Sequence, residues 1–62
     1  MSNHVVFKQY DTNKYMAMNT AIEIDIIDRG DHVTLETADY NRQFPTFLAA
    51  AKFADQAFET LK

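Results

Sequence analysis

The chain has 62 residues, which is enough for one small domain with a single core and too few for two, so we predict one domain over residues 1–62. Apolar residues make up 47% of it, which excludes a disordered tail, and no apolar run is long enough to cross a membrane. The net charge of −3 opposes general nucleic-acid binding, and the lack of cysteine excludes disulfides and thiolate zinc sites and favours a reducing cytoplasm.

The first predicted strand runs from His4 to Tyr10. Residues 11–14 are all turn formers, so we expect a hairpin that leads into a second strand. Pairing Tyr10 with Tyr15 across this turn sets the register. It places both tyrosines on the face that points away from the core.

The second predicted strand is one long element from Tyr15 to Asp28. Two sets of side chains alternate along its whole length, as expected of a strand with one buried face. Its β-branched isoleucines also favour the pleated form. The positions that share the predicted core face are Met16, Met18, Thr20, Ile22, Ile24 and Ile26.

The only glycine, Gly30, marks the next turn, because glycine accepts the positive φ angle that a tight hairpin needs. A two-residue turn at this point makes residues 32–37 a third strand and places Glu23 opposite Glu36. Gln43-Phe44 is the candidate for a short fourth strand at an edge, since the proline that follows it stops the ladder.

From Thr46 onward the apolar period becomes helical, and Thr46 is the predicted N-cap. Alanine and phenylalanine gather on one side and charged residues on the other, which predicts an amphipathic helix to the C-terminus. The expected fold class is α+β: an antiparallel three- or four-stranded β-meander with one C-terminal helix packed on one face, in the order β-β-β-(β)-α.

No catalytic or cofactor motif is present in the sequence. It lacks a glycine-rich phosphate loop, a Ser-His-Asp or Cys-His set and a calcium loop. His32 lies near Asp28 and Asp31, but short turn ligands rarely hold a metal without a third anchored group. We therefore expect a protein that is not an enzyme, with no catalytic residue, no cofactor and no metal.

A single helix can cover only one face of the sheet, so the other face is left for solvent or a partner. One end of it is predicted to carry Tyr10 and Tyr15, an amphipathic aromatic patch of the kind found at interfaces. The other end is a strip of carboxylates, which would complement a basic protein surface, including one that normally holds nucleic acid. The predicted partner-binding carboxylates are Glu23, Asp25 and Glu36, with Asp28 and Asp31 at the adjoining hairpin. An ordinary solvated acidic face is the alternative interpretation.

In size, cysteine-free acidic composition and sheet-plus-helix organisation, the chain resembles small phage-encoded inhibitors of the anti-CRISPR type. That resemblance implies a protein that binds and blocks a defence protein. The segment 42–46 and the start of the helix are similar to the three-strand-plus-helix DNA-binding modules at integrase N-termini. Such modules use basic and aromatic residues on the open sheet face, where this chain has Glu23, Asp25 and Glu36. The order of elements is also similar to that of HicB-type antitoxins.

The preferred hypothesis is a small, acidic, non-enzymatic interaction module, an inhibitor or regulator that binds a protein partner through the open face of its sheet. The alternatives are a nucleic-acid-binding module that uses Lys8, Tyr10, Tyr15 and Arg42, and an antitoxin-like regulator. A homodimer through the Tyr10/Tyr15 end is also expected, because an uncovered apolar patch on so small a chain favours self-association.

Overall fold

The computed structural model describes residues 4–61, which form five antiparallel strands followed by one helix. The elements are β1 (Phe7–Asp11), β2 (Lys14–Ala17), β3 (Asp25–Asp28), β4 (Val33–Glu36), β5 (Asn41–Phe44) and α1 (Phe47–Ala57). Neighbours in the sheet are also neighbours in the chain, so the sheet is a meander. The predicted α+β fold with a C-terminal helix is confirmed, with five strands instead of three or four.

The single long strand predicted from Tyr15 to Asp28 is wrong, because the chain turns back within it. β2 pairs antiparallel with β3, and a connecting segment joins them. Ala17 N–H donates to Ile24 O at 2.9 Å at the base of this segment, and Thr20 Oγ1 donates to Ile22 O at 2.7 Å within it. Side-chain hydrogen bonds to the nearby backbone compete with a strand ladder, which favours the turn over a continuous strand.

This turn exchanges the two faces of β2. Tyr15 lies opposite Ile26 and Met16 lies opposite Asp25, so odd-numbered side chains of β2 share a face with even-numbered side chains of β3. Tyr15 therefore packs towards the helix, whereas Met16 and Met18, predicted in the core, lie on the other face. Alternation alone does not reveal the exchange, because a hairpin alternates on both of its arms.

A β-bulge at Tyr10 moves the first hairpin out of its predicted register. Asp11 pairs with Lys14 beside the turn, but Gln9 pairs with Tyr15. The predicted pair of Tyr10 with Tyr15 is therefore wrong. Because a one-residue slip changes the face of a side chain, the two tyrosines point to opposite sides of the sheet.

The second hairpin has a four-residue loop, 29–32, where a two-residue turn was predicted. Gly30 takes the expected positive φ, at 98°. The register is shifted by two residues, so Asp25, and not Glu23, lies opposite Glu36. A shift of two leaves every side chain on its predicted face, so the predicted pair is wrong but the predicted face is correct.

Thr46 caps α1 as predicted, since its Oγ1 accepts a hydrogen bond from Ala49 N–H at 3.1 Å. The helix ends at Ala57, although the sequence predicted a helix to the C-terminus. Beyond it the chain is extended, and Leu61 N–H donates to Asn19 O at 2.7 Å. Leu61, in this extended segment, is 60% exposed. Within residues 4–61 no helix has the length and apolar character needed to span a bilayer.

The core lies between α1 and one face of the sheet. Its fully buried members are Ile24, Ile26, Leu35, Ala50 and Ala54. The small alanine side chains let the helix axis approach the sheet, and aromatic rings close the rim. Phe47 packs against Tyr15 with ring centroids 4.8 Å apart, and Phe53 packs against Phe44 at 5.2 Å. Phe44 belongs to β5, so the predicted edge strand at Gln43-Phe44 is confirmed.

Candidate functional site

The sheet face opposite α1 is the candidate functional surface, and we call it the open face. Strand pairing gives its layout, because residues directly opposite each other point to the same side. One row across all five strands consists of Lys8, Met16, Asp25, Glu36 and Asn41. The neighbouring rows add Val6, Tyr10, Asp11, Lys14, Met18, Glu23, Ile27, Thr34 and Gln43. Apolar, cationic and acidic side chains therefore share this surface.

Three of the predicted binding residues come together on the open face: Glu23, Asp25 and Glu36, which we call the acidic cluster. They line a shallow pocket of about 190 Å³, together with Thr37 and Ala38 from the end of β4. Asp25 and Glu36 face each other directly across β3 and β4. The predicted carboxylate strip therefore exists, with Asp25 rather than Glu23 at the position opposite Glu36.

Asp25 is the least satisfied member of the acidic cluster. Its Oδ1 atom is buried and has no hydrogen-bond partner in the part of the chain that the structure describes. Burial, followed by the charges of Glu23 and Glu36, raises the pKa of Asp25, and Lys14 opposes this to a smaller extent. Ionising the carboxyl group is therefore costly in the isolated chain, which is not the case for a solvated surface carboxylate.

Arg29 is a cation beside the acidic cluster, and the sequence did not predict it there. Its Nη2 donates to Glu36 Oε2 at 3.3 Å, and its Nε lies 3.4 Å from Thr34 Oγ1. Thr34 is only 9% exposed although it lies on the open face, which is consistent with an arginine folded over it. The four-residue loop makes this reach available. A two-residue turn would have kept Arg29 at the hairpin tip.

Tyr10 lies on the open face close to the acidic cluster. Its ring is half exposed, and burial, then the negative charges of Asp25, Glu23, Asp11 and Glu36, raise the pKa of its phenol. The predicted separation between a tyrosine end and an acidic end is therefore wrong.

Tyr15 is not part of this surface, because it packs against Phe47 on the helix side. The predicted patch of Tyr10 and Tyr15 does not form, so a homodimer could not use both tyrosines on one surface. The β-bulge and the exchanged face of β2 account for the error in the predicted patch.

Asp28 and Asp31 are not brought to the acidic cluster. Asp28 lies opposite Val33 on the helix side of the sheet, and its Oδ1 accepts a hydrogen bond from Gly30 N–H at 2.8 Å. Asp31 Oδ1 lies 2.6 Å from His32 Nδ1, and this hydrogen bond holds the pKa of Asp31 below its usual value. Both carboxylates serve the hairpin loop.

Val6 and Met18 are exposed apolar neighbours on the open face. Met18 N–H donates to Val6 O at 2.7 Å, so the two side chains are neighbours, and each is 54% exposed. Met18 was predicted in the core because the turn after it was not recognised. Asn19-Thr20 was the available signal, since both residues favour turns that use side-chain hydrogen bonds.

The residues named for nucleic-acid binding do not share a surface. Lys8 and Tyr10 lie on the open face, whereas Tyr15 is on the helix side. The guanidinium of Arg42 lies 4.8 Å from the ring centre of Phe53, also on the helix side. These four residues therefore do not form the single basic surface that a DNA-binding module needs.

In residues 4–61 no group of three histidine, aspartate or glutamate side chains has the geometry of a metal site. Comparison with known proteins gives no further guide, since no family model, curated protein sequence or solved structure matches the chain.

Proposed function

We propose that this protein is a non-enzymatic interaction module that binds a protein partner through its open face. The observation that carries the proposal is Asp25, whose buried Oδ1 has no partner beside Glu23 and Glu36 in the described part of the chain. A cationic group from a partner would supply the missing hydrogen bond and neutralise charge at the place where the isolated chain leaves it uncompensated.

The apolar residues around the acidic cluster support the same role. Val6, Tyr10 and Met18 are all more than half exposed and lie on the same face as the carboxylates. Interfaces combine buried apolar and aromatic anchors with polar groups that fix orientation, and methionine is common at surfaces that adapt to a partner. A surface retained only for solubility would not need these exposed apolar side chains.

The partner that fits this face has a positively charged surface with an apolar rim. A protein that normally holds nucleic acid has such a surface, so the module would act as an inhibitor or regulator that occupies it. This is the form of activity expected of a phage inhibitor of the anti-CRISPR type, and it is consistent with the size and acidic composition. The cysteine-free sequence suits a reducing cytoplasm, where we place this activity.

The test compares immobilised baits in a lysate of the cells that encode the protein. The wild-type chain is compared with a Glu23→Lys/Asp25→Asn variant, which removes the charge of the pocket without touching the Arg29–Glu36 bond. We expect basic proteins to be captured by the wild type, to persist after nuclease treatment and to be lost from the variant. Capture should also weaken as salt rises, because exposed charges are screened within roughly 10 Å at 0.1 M ionic strength.

The matched control is a Gln56→Lys/Glu59→Lys bait, which makes the same change in net charge at two positions on the other side of the molecule. It should retain the captured proteins. If both variants lose the same proteins, net charge alone explains the capture. If neither loses any, the open face is not the binding surface.

A further inference from the structure

β5 is an edge strand with a free side. It pairs with β4, and within residues 4–61 no further strand lies beyond it. All four of its residues pair with β4 in one unbroken register, and Asn41, Arg42 and Gln43 are exposed. The unpaired backbone groups of an edge strand can accept an extended segment of another chain.

The hydrogen-bond pattern identifies the backbone groups that point out of this free edge. Thr37 N–H donates to Tyr40 O at 2.9 Å, so these two residues form a hydrogen-bonded pair of the ladder between β4 and β5. Hydrogen-bonded and non-hydrogen-bonded pairs alternate along an antiparallel ladder. The backbone groups of Arg42 therefore bond to β4, whereas the N–H and C=O groups of Asn41 and Gln43 point outward.

The opposite edge of the sheet is less suited to an added strand. β1 carries the β-bulge at Tyr10, which shifts its register between Gln9 and Asp11. A bulge disrupts the ladder and bends the strand, which is one of the ways in which proteins protect an edge from pairing. β5 has no such irregularity, so it is the edge with an uninterrupted template.

Arg42 places a fixed cation beside the free edge. Its guanidinium lies 4.8 Å from the ring centre of Phe53 and 5.9 Å from that of Phe44. Aromatic rings hold a guanidinium by its flat face and leave its N–H groups available for a carboxylate. Within residues 4–61 no acceptor bonds to these N–H groups, whereas the other arginine, Arg29, is bonded to Glu36.

We propose that the free edge of β5 binds an extended segment of another protein, which adds to the sheet as an antiparallel strand and places one carboxylate side chain opposite Arg42. The outward backbone groups of Asn41 and Gln43 bond to this strand and give affinity. The carboxylate gives specificity, because directly opposite residues share a face with their Cβ atoms about 5 Å apart. The net charge of −3 opposes a run of acidic residues, so we expect one carboxylate among neutral residues.

This edge is separate from the open face. The guanidinium of Arg42 lies over Phe53 on the helix side, and its ligand is an anion, whereas the acidic cluster calls for a cation. Binding at β5 therefore goes beyond the proposed function. A failure at either site would leave the other intact, since the two are measured with ligands of opposite charge.

The first experiment titrates the isotope-labelled chain with three capped peptides and follows its amide chemical shifts. The first peptide is Thr-Val-Thr-Glu-Thr-Val-Thr, the second has glutamine in place of the glutamate, and the third is the first with N-methyl groups on the two residues that flank the glutamate. We expect the first to bind with a Kd between about 0.1 and 1 mM and to shift Asn41 and Gln43 most. The second should bind about tenfold more weakly, and the third should not bind. Equal binding of the first two, or shifts centred on β1 or the open face, would overturn the proposal.

Hydrogen exchange in the same samples tests the geometry of the edge. In the free chain the amides of Asn41 and Gln43 should exchange rapidly, while that of Arg42 is protected by its bond to β4. Saturation with the glutamate peptide should protect all three amides. Protection of Asn41 and Gln43 without any peptide would show that the edge is already occupied, and would contradict the proposal.

The second experiment changes the chain. Arg42→Gln should weaken binding of the glutamate peptide about tenfold and remove the preference over the glutamine peptide. Lys8→Gln is the matched control, because it removes one positive charge from β1, at the opposite edge of the sheet, and should leave the affinity unchanged. Gln43→Pro removes an outward N–H group and no bond to β4, so the variant should fold, as circular dichroism would show, and bind neither peptide.

If Gln43→Pro does not fold, the N-methylated peptide tests the same backbone bonds from the side of the ligand. The alternative role for Arg42 is to keep the edge from pairing with other chains. In that case Arg42→Gln should bind both peptides more tightly than the wild type does, and this result would overturn the proposal.

Discussion

The two sides of the sheet differ in how well a carboxylate is hydrogen-bonded. On the helix side, Asp55 has both oxygens bonded: Oδ1 accepts from Val5 N–H at 2.7 Å, and Oδ2 lies 2.9 Å from His4 Nδ1. On the open face, Asp25 keeps a buried oxygen without a partner, among the described residues, beside two further carboxylates. One aspartate holds the fold together, and the other opposes it.

The pKa values express this contrast. Burial alone would raise the pKa of Asp55, but the hydrogen bonds from His4 and Val5 outweigh it, so the value lies below the usual range. Burial and two like charges raise the pKa of Asp25. In a chain this small, with little stability to spare, this cost at Asp25 is the reason for which we propose that Asp25 binds a partner. Substitutions on the two sides should therefore differ in both size and sign.

The largest effect is expected in the core on the helix side. Ile24→Asp places a charge at a position that is completely buried, where it can be neither paired nor solvated, so the domain should lose its cooperative melting transition. Ile22→Asp is the matched control, because Ile22 is 51% exposed in the connection before β3 and should change stability by less than about 0.5 kcal/mol. Equal destabilisation of the two variants would contradict the turn between β2 and β3.

The next effect concerns Asn19, which ties the N-terminal segment to that turn. Its Oδ1 accepts from Val6 N–H at 2.8 Å and its Nδ2 donates to His4 O at 2.9 Å. Asn19→Ala should lower the free energy of unfolding by about 2 kcal/mol, since two hydrogen bonds between its side chain and the backbone are lost. Urea denaturation measures the change. Asn41→Ala, on the exposed edge strand, should leave the midpoint nearly unchanged.

Asp55 predicts a sensitivity to acid. Because its pKa is lowered in the folded state, the stability it contributes is present at neutral pH and is lost as pH falls through that pKa. Asp55→Asn should therefore cost about 1 kcal/mol at neutral pH and progressively less on acidification. Urea melts of variant and wild type as a function of pH test this. A difference that is the same at all pH values would show that the charge of Asp55 contributes nothing.

Asp25 predicts the smallest change and the opposite sign. Because its pKa is raised, the folded state binds the proton more tightly than the unfolded state, and stability falls as pH rises through the raised pKa. Asp25→Asn should stabilise the domain at neutral pH by about 0.5 kcal/mol, the scale of one cross-strand charge pair, and should have no effect in acid. Thermal melts at both pH values suffice. Destabilisation at neutral pH would mean that the carboxylate is satisfied after all.

The sequence predicts the fold class well because the core signals are strong. Ile24 and Ile26, the N-cap at Thr46 and the apolar period of the helix all indicate the layers that are observed. What it does not predict is where a strand reverses. The turn at Asn19 depends on side-chain hydrogen bonds to the backbone, and the bulge at Tyr10 depends on one unpaired residue. Neither feature interrupts the alternation of apolar and polar residues from which strands are predicted.

The candidate site shows the same limit. Glu23, Asp25 and Glu36 were found because β3 and β4 kept their predicted faces. The residues contributed by β2 were assigned to the wrong face, since one unrecognised turn exchanges every side chain on a strand. Arg29 was missed because its contact with Glu36 depends on the length of the loop 29–32. The sequence Arg29-Gly30-Asp31 does not specify that length.

The difference between the two aspartates is tested most directly by a carbon-detected NMR titration of the side-chain carboxyl groups in the isolated wild-type chain. We expect Asp25 to release its proton at a higher pH than Asp55 and Asp31. If Asp25 instead titrates together with Asp55 or below it, its carboxylate is already compensated within the chain. The open face would then have no uncompensated charge for a partner to neutralise.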